Sequence, residues 1–145
     1  MKISQIKQIL CPIVATLMCM ACQGQKAKVT SPESSPQEEV KEFRSVGASE
    51  FAQVIADTNV VLLDVRRADE HMAGHIEGTK LNIDVLKPDF DSLVVASIKP
   101  GSTVALYCRS GNRSKRAATI LSSKGYRVVE LNEGYNGWTE YIQNN

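Results

Sequence analysis

The chain has 145 residues, 43% of them hydrophobic and 23% charged, which suits one soluble globular domain with a single compact core. Its 17 basic residues almost balance 16 acidic ones, for a formal net charge of +1, so nothing in the charge points to a nucleic-acid partner. It carries four cysteines, and their distribution becomes informative once the chain is divided.

Met1 to Ala21 holds two lysines near its start, Lys2 and Lys7, no acid, and an apolar run from Ile9 to Ala21. That run is shorter than the roughly 20 residues a membrane-spanning helix needs, and it ends at a small residue followed by Cys22, Gly24 and polar side chains. An export signal over residues 1–22 fits this pattern. Its last residues, Cys19-Met20-Ala21-Cys22, resemble the bacterial lipoprotein box, which implies lipidation at Cys22 and a periplasmic, membrane-tethered protein. An ordinary signal-peptidase site and an uncleaved anchor are the alternatives. Without Lys2 and Lys7 the balance becomes 15 basic against 16 acidic residues. With Cys11 and Cys19 gone and Cys22 blocked, Cys108 is the one thiol left in the folded part, and no internal disulfide can form.

Residues 23–42, with two Ser-Pro steps, clustered charge and almost no large apolar side chain, read as a linker. A flexible coil of about 20 residues has a root-mean-square span of roughly 25 Å. The domain then occupies residues 43–145. Strands are expected near Arg44 to Val46, at Val60 to Leu63, near Lys80 to Ile83, at Thr103 to Tyr107 and at Tyr126 to Leu131. The continuous apolar runs among them suit strands buried on both faces of a parallel sheet. Helices are expected from Ser49, as a cap, to Ala56, from Asp89 to Ile98, and from Ser114 to Lys124 with Gly125 as its stop. Alternating strands and helices define a three-layer α/β/α domain with an open, mainly parallel sheet. Ligands of such sheets bind beyond the C-terminal ends of the strands, where Cys108 falls.

The segment 108–114, CRSGNRS, joins a strand to a helix, and Gly111 can take a turn other residues resist. If the loop curls around Cys108, its amides and the positive end of the following helix favour negative charge on the sulfur. Such surroundings lower a cysteine pKa from about 8.5 to roughly 3.5–7.5. A packing cysteine would need neither a glycine turn nor flanking arginines.

This loop resembles the active-site loop of the rhodanese sulfurtransferases. Leu63-Asp64-Val65-Arg66, Glu70, Gly74-His75-Ile76-Glu77-Gly78 and Asn82-Ile83 resemble that family's first motif, and residues 131–138, LNEGYNGW, resemble its C-terminal one. The likeness spans Phe43 to Tyr141. It implies a five-stranded parallel sheet and a nucleophile, Cys108, that takes the outer sulfur of thiosulfate or a similar donor. The persulfide so formed would pass its sulfur to cyanide or a thiol, by two-step covalent catalysis. It also implies a substrate loop of Arg109, Ser110, Gly111, Asn112, Arg113 and Ser114. Arg109 and Arg113 would contact the anionic donor, Arg113 the more directly, and Gly111 and Ser114 would shape the loop. Lys115 and Arg116 are expected on the outer helix surface. His71 stands where the family usually has Tyr or Phe, and Glu133 where a glycine is common.

Asp64 and Arg66 are expected to support the site, Asp64 by orienting the cysteine loop or as half of a structural pair with Arg66, the pair being favoured. His75 reads as a turn residue rather than a general base. Trp138 reads as an anchor for the last helix that also reaches a wall of the pocket. No metal and no cofactor are expected, and a monomer acting on small molecules is. The rival readings are a persulfide carrier, a binding or redox module of the cell envelope, and a cysteine phosphatase. The last is disfavoured because four residues, not five, separate Cys108 from Arg113.

Overall fold

The computed structural model describes residues 42–145. The expected signal, Cys22 and nearly all of the linker lie outside the described residues. Five strands, β1 (Arg44–Val46), β2 (Val61–Asp64), β3 (Leu81–Asn82), β4 (Thr103–Tyr107) and β5 (Arg127–Leu131), form one sheet in the order β1-β5-β4-β2-β3. Every pairing is parallel, so "mainly parallel" becomes wholly parallel.

Among the described residues four helices lie between strands, α1 (Ala48–Ile55), α2 (Ala68–Ala73), α3 (Phe90–Ser97) and α4 (Asn112–Ser123), and a fifth, α5 (Gly134–Gln143), follows β5. Side-chain alternation along the strands divides the core in two. Leu63, Val104, Leu106 and Val128 pack with Phe90 and Val94 of α3 and Ala117, Ala118 and Leu121 of α4. Leu62, Ala105, Tyr107, Val129 and Leu131 pack with Phe51 of α1 and with Tyr135, Trp138 and Tyr141 of α5. Helices therefore cover both faces, which is why the central runs are apolar without interruption. Truncating a side chain as enclosed as Leu106 costs about 2–5 kcal/mol.

Three local expectations need correction. Helix α1 begins at Ala48 with Gly47 in the capping position, so Ser49 is inside the first turn and is not the cap. Helix α4 begins at Asn112, two residues before Ser114, because Gly111 turns the chain with φ +94° and the helix starts at once. Helix α2 was not expected: six residues are too few for an apolar period, and none of them is buried. Among the described residues no helix is long and apolar enough to cross a membrane.

Candidate active site

Cys108 directly follows β4, and the register sets its surroundings. Asp64 pairs with Tyr107, and the Val65 amide donates to the Tyr107 carbonyl at 3.0 Å, so the first-motif and cysteine loops leave the same sheet edge side by side. Leu106 and Cys108 share the α3/α4 face, which directs the sulfur toward the start of α4.

The loop closes over the sulfur, leaving Cys108 1% exposed. The Gly111 amide donates to Sγ at 3.2 Å, and the Ser114 hydroxyl lies 3.4 Å from it. Burial pushes the thiol pKa up. Hydrogen bonds from the Ser114 hydroxyl and the backbone amides of Ser114, Ser110 and Gly111 outweigh burial and leave the pKa below its ordinary value. Ser110 thus contributes through its backbone. Ser110 and Asn112 are both exposed.

The C-terminal motif holds this loop from behind. At the start of α5 the Tyr135 amide donates to the Cys108 carbonyl at 2.8 Å and the Asn136 amide to the Arg109 carbonyl at 3.1 Å. A helix N-terminus has amides without helical partners, and here two of them satisfy loop carbonyls. The approach is tight enough that a Cβ on Gly134 would lie 2.6 Å from the Cys108 oxygen, and one on Gly111 only 2.0 Å from the Asn132 oxygen. The unusual Glu133 is accommodated by Gly137, where a Cβ would meet Glu133 Cβ at 2.4 Å.

The charged residues of the first motif are engaged with one another. Asp64, fully buried, accepts from the Arg66 Nε at 3.0 Å, from Nη2 at 2.7 Å and from the Arg66 amide at 2.9 Å. Arg66 also donates to the Gly74 carbonyl at 2.7 Å and lies 4.4 Å over the Tyr135 ring. His71 Nδ1 sits 3.0 Å from Asp64 Oδ2, and the His71 ring stacks on His75 at 4.2 Å. His75 Nδ1 faces the His71 carbonyl at 3.2 Å. Asp64 makes no hydrogen bond to the cysteine loop, so its geometry is that of the structural pair. Tyr107 braces the same loop, receiving the Ile76 amide at 3.1 Å, and burial pushes its phenol pKa up to about 12.

Arg113 is not positioned as expected. Nη1 and Nη2 each donate to one oxygen of Glu70 at 2.7 Å, a two-pronged pair that holds the Glu70 pKa down to about 2. The guanidinium thereby ties α4 to α2 and is not extended toward a donor. Arg109 is exposed, makes no ion pair among the described residues, and with Arg66, Glu70, Gly74, Tyr135 and Asn136 lines a cleft of about 240 Å³. Trp138 does not line this cleft; it packs edge-on against Phe51 at 6.2 Å, and Tyr135 takes the wall position instead. Lys115 lies on the helix surface with its side chain partly exposed, and its Nζ reaches Asn132 Oδ1 at 2.9 Å and lies 3.8 Å from Glu130. Arg116 is exposed. Larger hollows, about 330 and 480 Å³, lie around Thr103 and Arg127 at the opposite sheet edge, away from the thiol.

Glu130 is the residue that sequence reasoning missed. It is fully buried in β5, and its carboxylate meets the Ser45 hydroxyl at 2.5 Å and the Ser114 hydroxyl at 2.6 Å. A carboxylate inside the apolar run RVVEL was the available signal.

Parallel sheet order, a cysteine-centred loop and a supporting C-terminal glycine motif define an α/β domain with one buried thiol at the C-terminal end of its sheet. Residues 47–141 match the Rhodanese-like domain family, and the chain belongs to it. Thiosulfate sulfurtransferase 18 of Arabidopsis thaliana is 30% identical over 122 residues, covering 77% of this chain and 89% of its own. Thiosulfate sulfurtransferase GlpE of Pseudomonas fluorescens is 30% identical over 100 residues, covering 68% and 87%. A rhodanese-related protein from Thermoplasma volcanium superposes with a TM-score of 0.56 at 27% identity, covering 68% of this chain and 93% of its own.

Proposed function

We propose that the protein is a sulfurtransferase that takes a sulfane sulfur from thiosulfate or a related donor and carries it as a persulfide on Cys108. The observation that supports this most is the set of donors converging on one sulfur, the Gly111 amide at 3.2 Å and the Ser114 hydroxyl at 3.4 Å, at the start of a helix. The thiolate attacks the outer sulfur of thiosulfate. A bond forms from Sγ to that sulfur, the bond to the sulfonate sulfur breaks, and sulfite departs with the electron pair. Cyanide or a thiolate then takes the outer sulfur and regenerates the Cys108 thiolate. The same donors that stabilise the thiolate serve the persulfide anion.

Arg109 is the cation best placed to attract the dianionic donor, since Arg113 is held by Glu70. That ion pair also weighs against phosphatase chemistry, which needs the loop arginine directed at a phosphoryl group. The near-complete enclosure of Cys108 suits a donor with a slim sulfur tip.

Mass spectrometry of the protein after thiosulfate treatment tests the reading. Wild type gains one sulfur on Cys108, and Cys108→Ser gains none. No added sulfur with any donor would remove the enzymatic reading. For location we propose a monomer tethered to a bacterial membrane in the periplasm through lipid on Cys22, supported by the pattern of residues 1–22. Cells fed labelled palmitate label the wild type and not Cys22→Ala, and label retained by the variant would refute the tether.

A further inference from the structure

Resting on the proposed sulfur transfer, we propose that Glu130 is a positioning residue that receives the Cys108 proton through the Ser114 hydroxyl. The path is continuous. Glu130 Oε1 lies 2.6 Å from Ser114 Oγ, and Ser114 Oγ lies 3.4 Å from Cys108 Sγ. All three residues are enclosed, with Glu130 and Ser114 at 0% and Cys108 at 1% exposure, so bulk water is a poor competitor for that proton.

Ser114 has one proton and three acceptors within reach: Glu130 Oε1, Cys108 Sγ and the Gly111 carbonyl at 2.8 Å. When Glu130 is ionised, the Ser114 proton points at the carboxylate and the oxygen lone pair is turned to the thiol, which can donate to it. When Glu130 is protonated, its O–H donates to Ser114 and the Ser114 proton is turned to the thiolate. One concerted shift connects the two arrangements. The thiol proton moves to Ser114 Oγ while the Ser114 proton moves to Glu130 Oε1, and no charge leaves the site. The thiolate is thereby produced without releasing a proton to solvent, and it is produced hydrogen-bonded.

The other groups facing Glu130 fit this role. Ser45, from β1, donates to Oε2 at 2.5 Å and fixes the carboxyl plane. Lys115, from α4, stands 3.8 Å from Oε1 and is the one cation facing the carboxyl among the described residues. Two groups that share a proton titrate as a pair, and the thiolate-carrying species then has a pH-independent population between the two apparent pKa values.

The test is the pH profile of single-turnover persulfide formation in wild type and Glu130→Gln. The introduced amide keeps the size of the side chain and can hydrogen-bond Ser114 but cannot take up a proton. The relay predicts a flat wild-type profile between the two apparent pKa values, and a variant rate that meets wild type at alkaline pH and falls about tenfold per pH unit below its thiol pKa. If Glu130 acts only through its negative field, removing the charge makes the variant equal to or faster than wild type at low pH, which would overturn the proposal. A second measurement needs no variant of Glu130: between the two apparent pKa values the infrared spectrum of wild type shows a protonated-carboxyl band that Cys108→Ser lacks, and absence of that band would overturn the relay. The rate of Cys108 alkylation by iodoacetamide is followed in parallel. It reads thiolate availability without sulfur transfer, so absence of persulfide in wild type would refute the proposed function while the alkylation profiles still decide the relay.

Discussion

Two loops leave the same edge of the sheet, one after β2 and one after β4, and they are held in opposite ways. Residues 64–76 are braced by charged side chains: Asp64 with Arg66 and His71, and Arg66 with the Gly74 carbonyl. Residues 108–114 are held by backbone, through the amides of Tyr135 and Asn136 and the close packing of Gly111 and Gly134. The difference separates structure from chemistry. Charges in the first loop neutralise one another, whereas the second loop keeps several amides directed at one sulfur, where they can stabilise an anion without a counter-ion competing for the donor.

Gly111→Ala breaks the backbone-held loop most directly. It places a Cβ 2.0 Å from the Asn132 oxygen at a residue with φ +94°, a conformation alanine avoids. Persulfide formation should fall by about two orders of magnitude or more, as expected when oriented donors are lost, and mass spectrometry after thiosulfate measures it. An unchanged rate would mean the loop geometry is not needed.

Asp64→Ala attacks the charge-held loop. It leaves the Arg66 guanidinium, 3% exposed, without its carboxylate, and should cost about 3–5 kcal/mol in denaturant unfolding. The Cys108 thiolate titration of the folded variant should move little, because Asp64 makes no hydrogen bond to that loop. A large shift would join two loops that are here kept apart.

Glu70→Gln has the smallest effect and a definite pH signature. The Arg113 pair lowers the Glu70 pKa from 4.5 to about 2, so its stabilisation is complete above the unfolded value and is lost as pH falls from there through about 2. Acid unfolding of wild type should steepen across that window, and the variant should be flatter. The partly exposed pair makes the difference modest.

Much of this arrangement could be read from local patterns. The run at Thr103–Tyr107 matches the observed β4 residue for residue, because a strand buried on both faces needs only continuous apolar character. The cysteine loop was legible because glycine, small polar residues and arginines follow a strand end. The partners were not. Arg113 and Glu70 are 43 residues apart, and Ser114 and Glu130 meet only because β5 lies beside β4. The hold of α5 on the cysteine loop was hidden for another reason: it is made by two backbone amides, which any residue but proline supplies. Helix α2 buries no side chain and so left no periodic trace.

The central claim is that backbone and hydroxyl donors lower the energy of negative charge on Cys108 by more than burial raises it. Thiolate absorbance followed against pH, with Cys108→Ser as the blank, measures that balance in one curve. A midpoint below the roughly 8.5 of an unperturbed cysteine is the expected result. A midpoint at or above that value would mean that burial wins and that the loop does not activate the thiol.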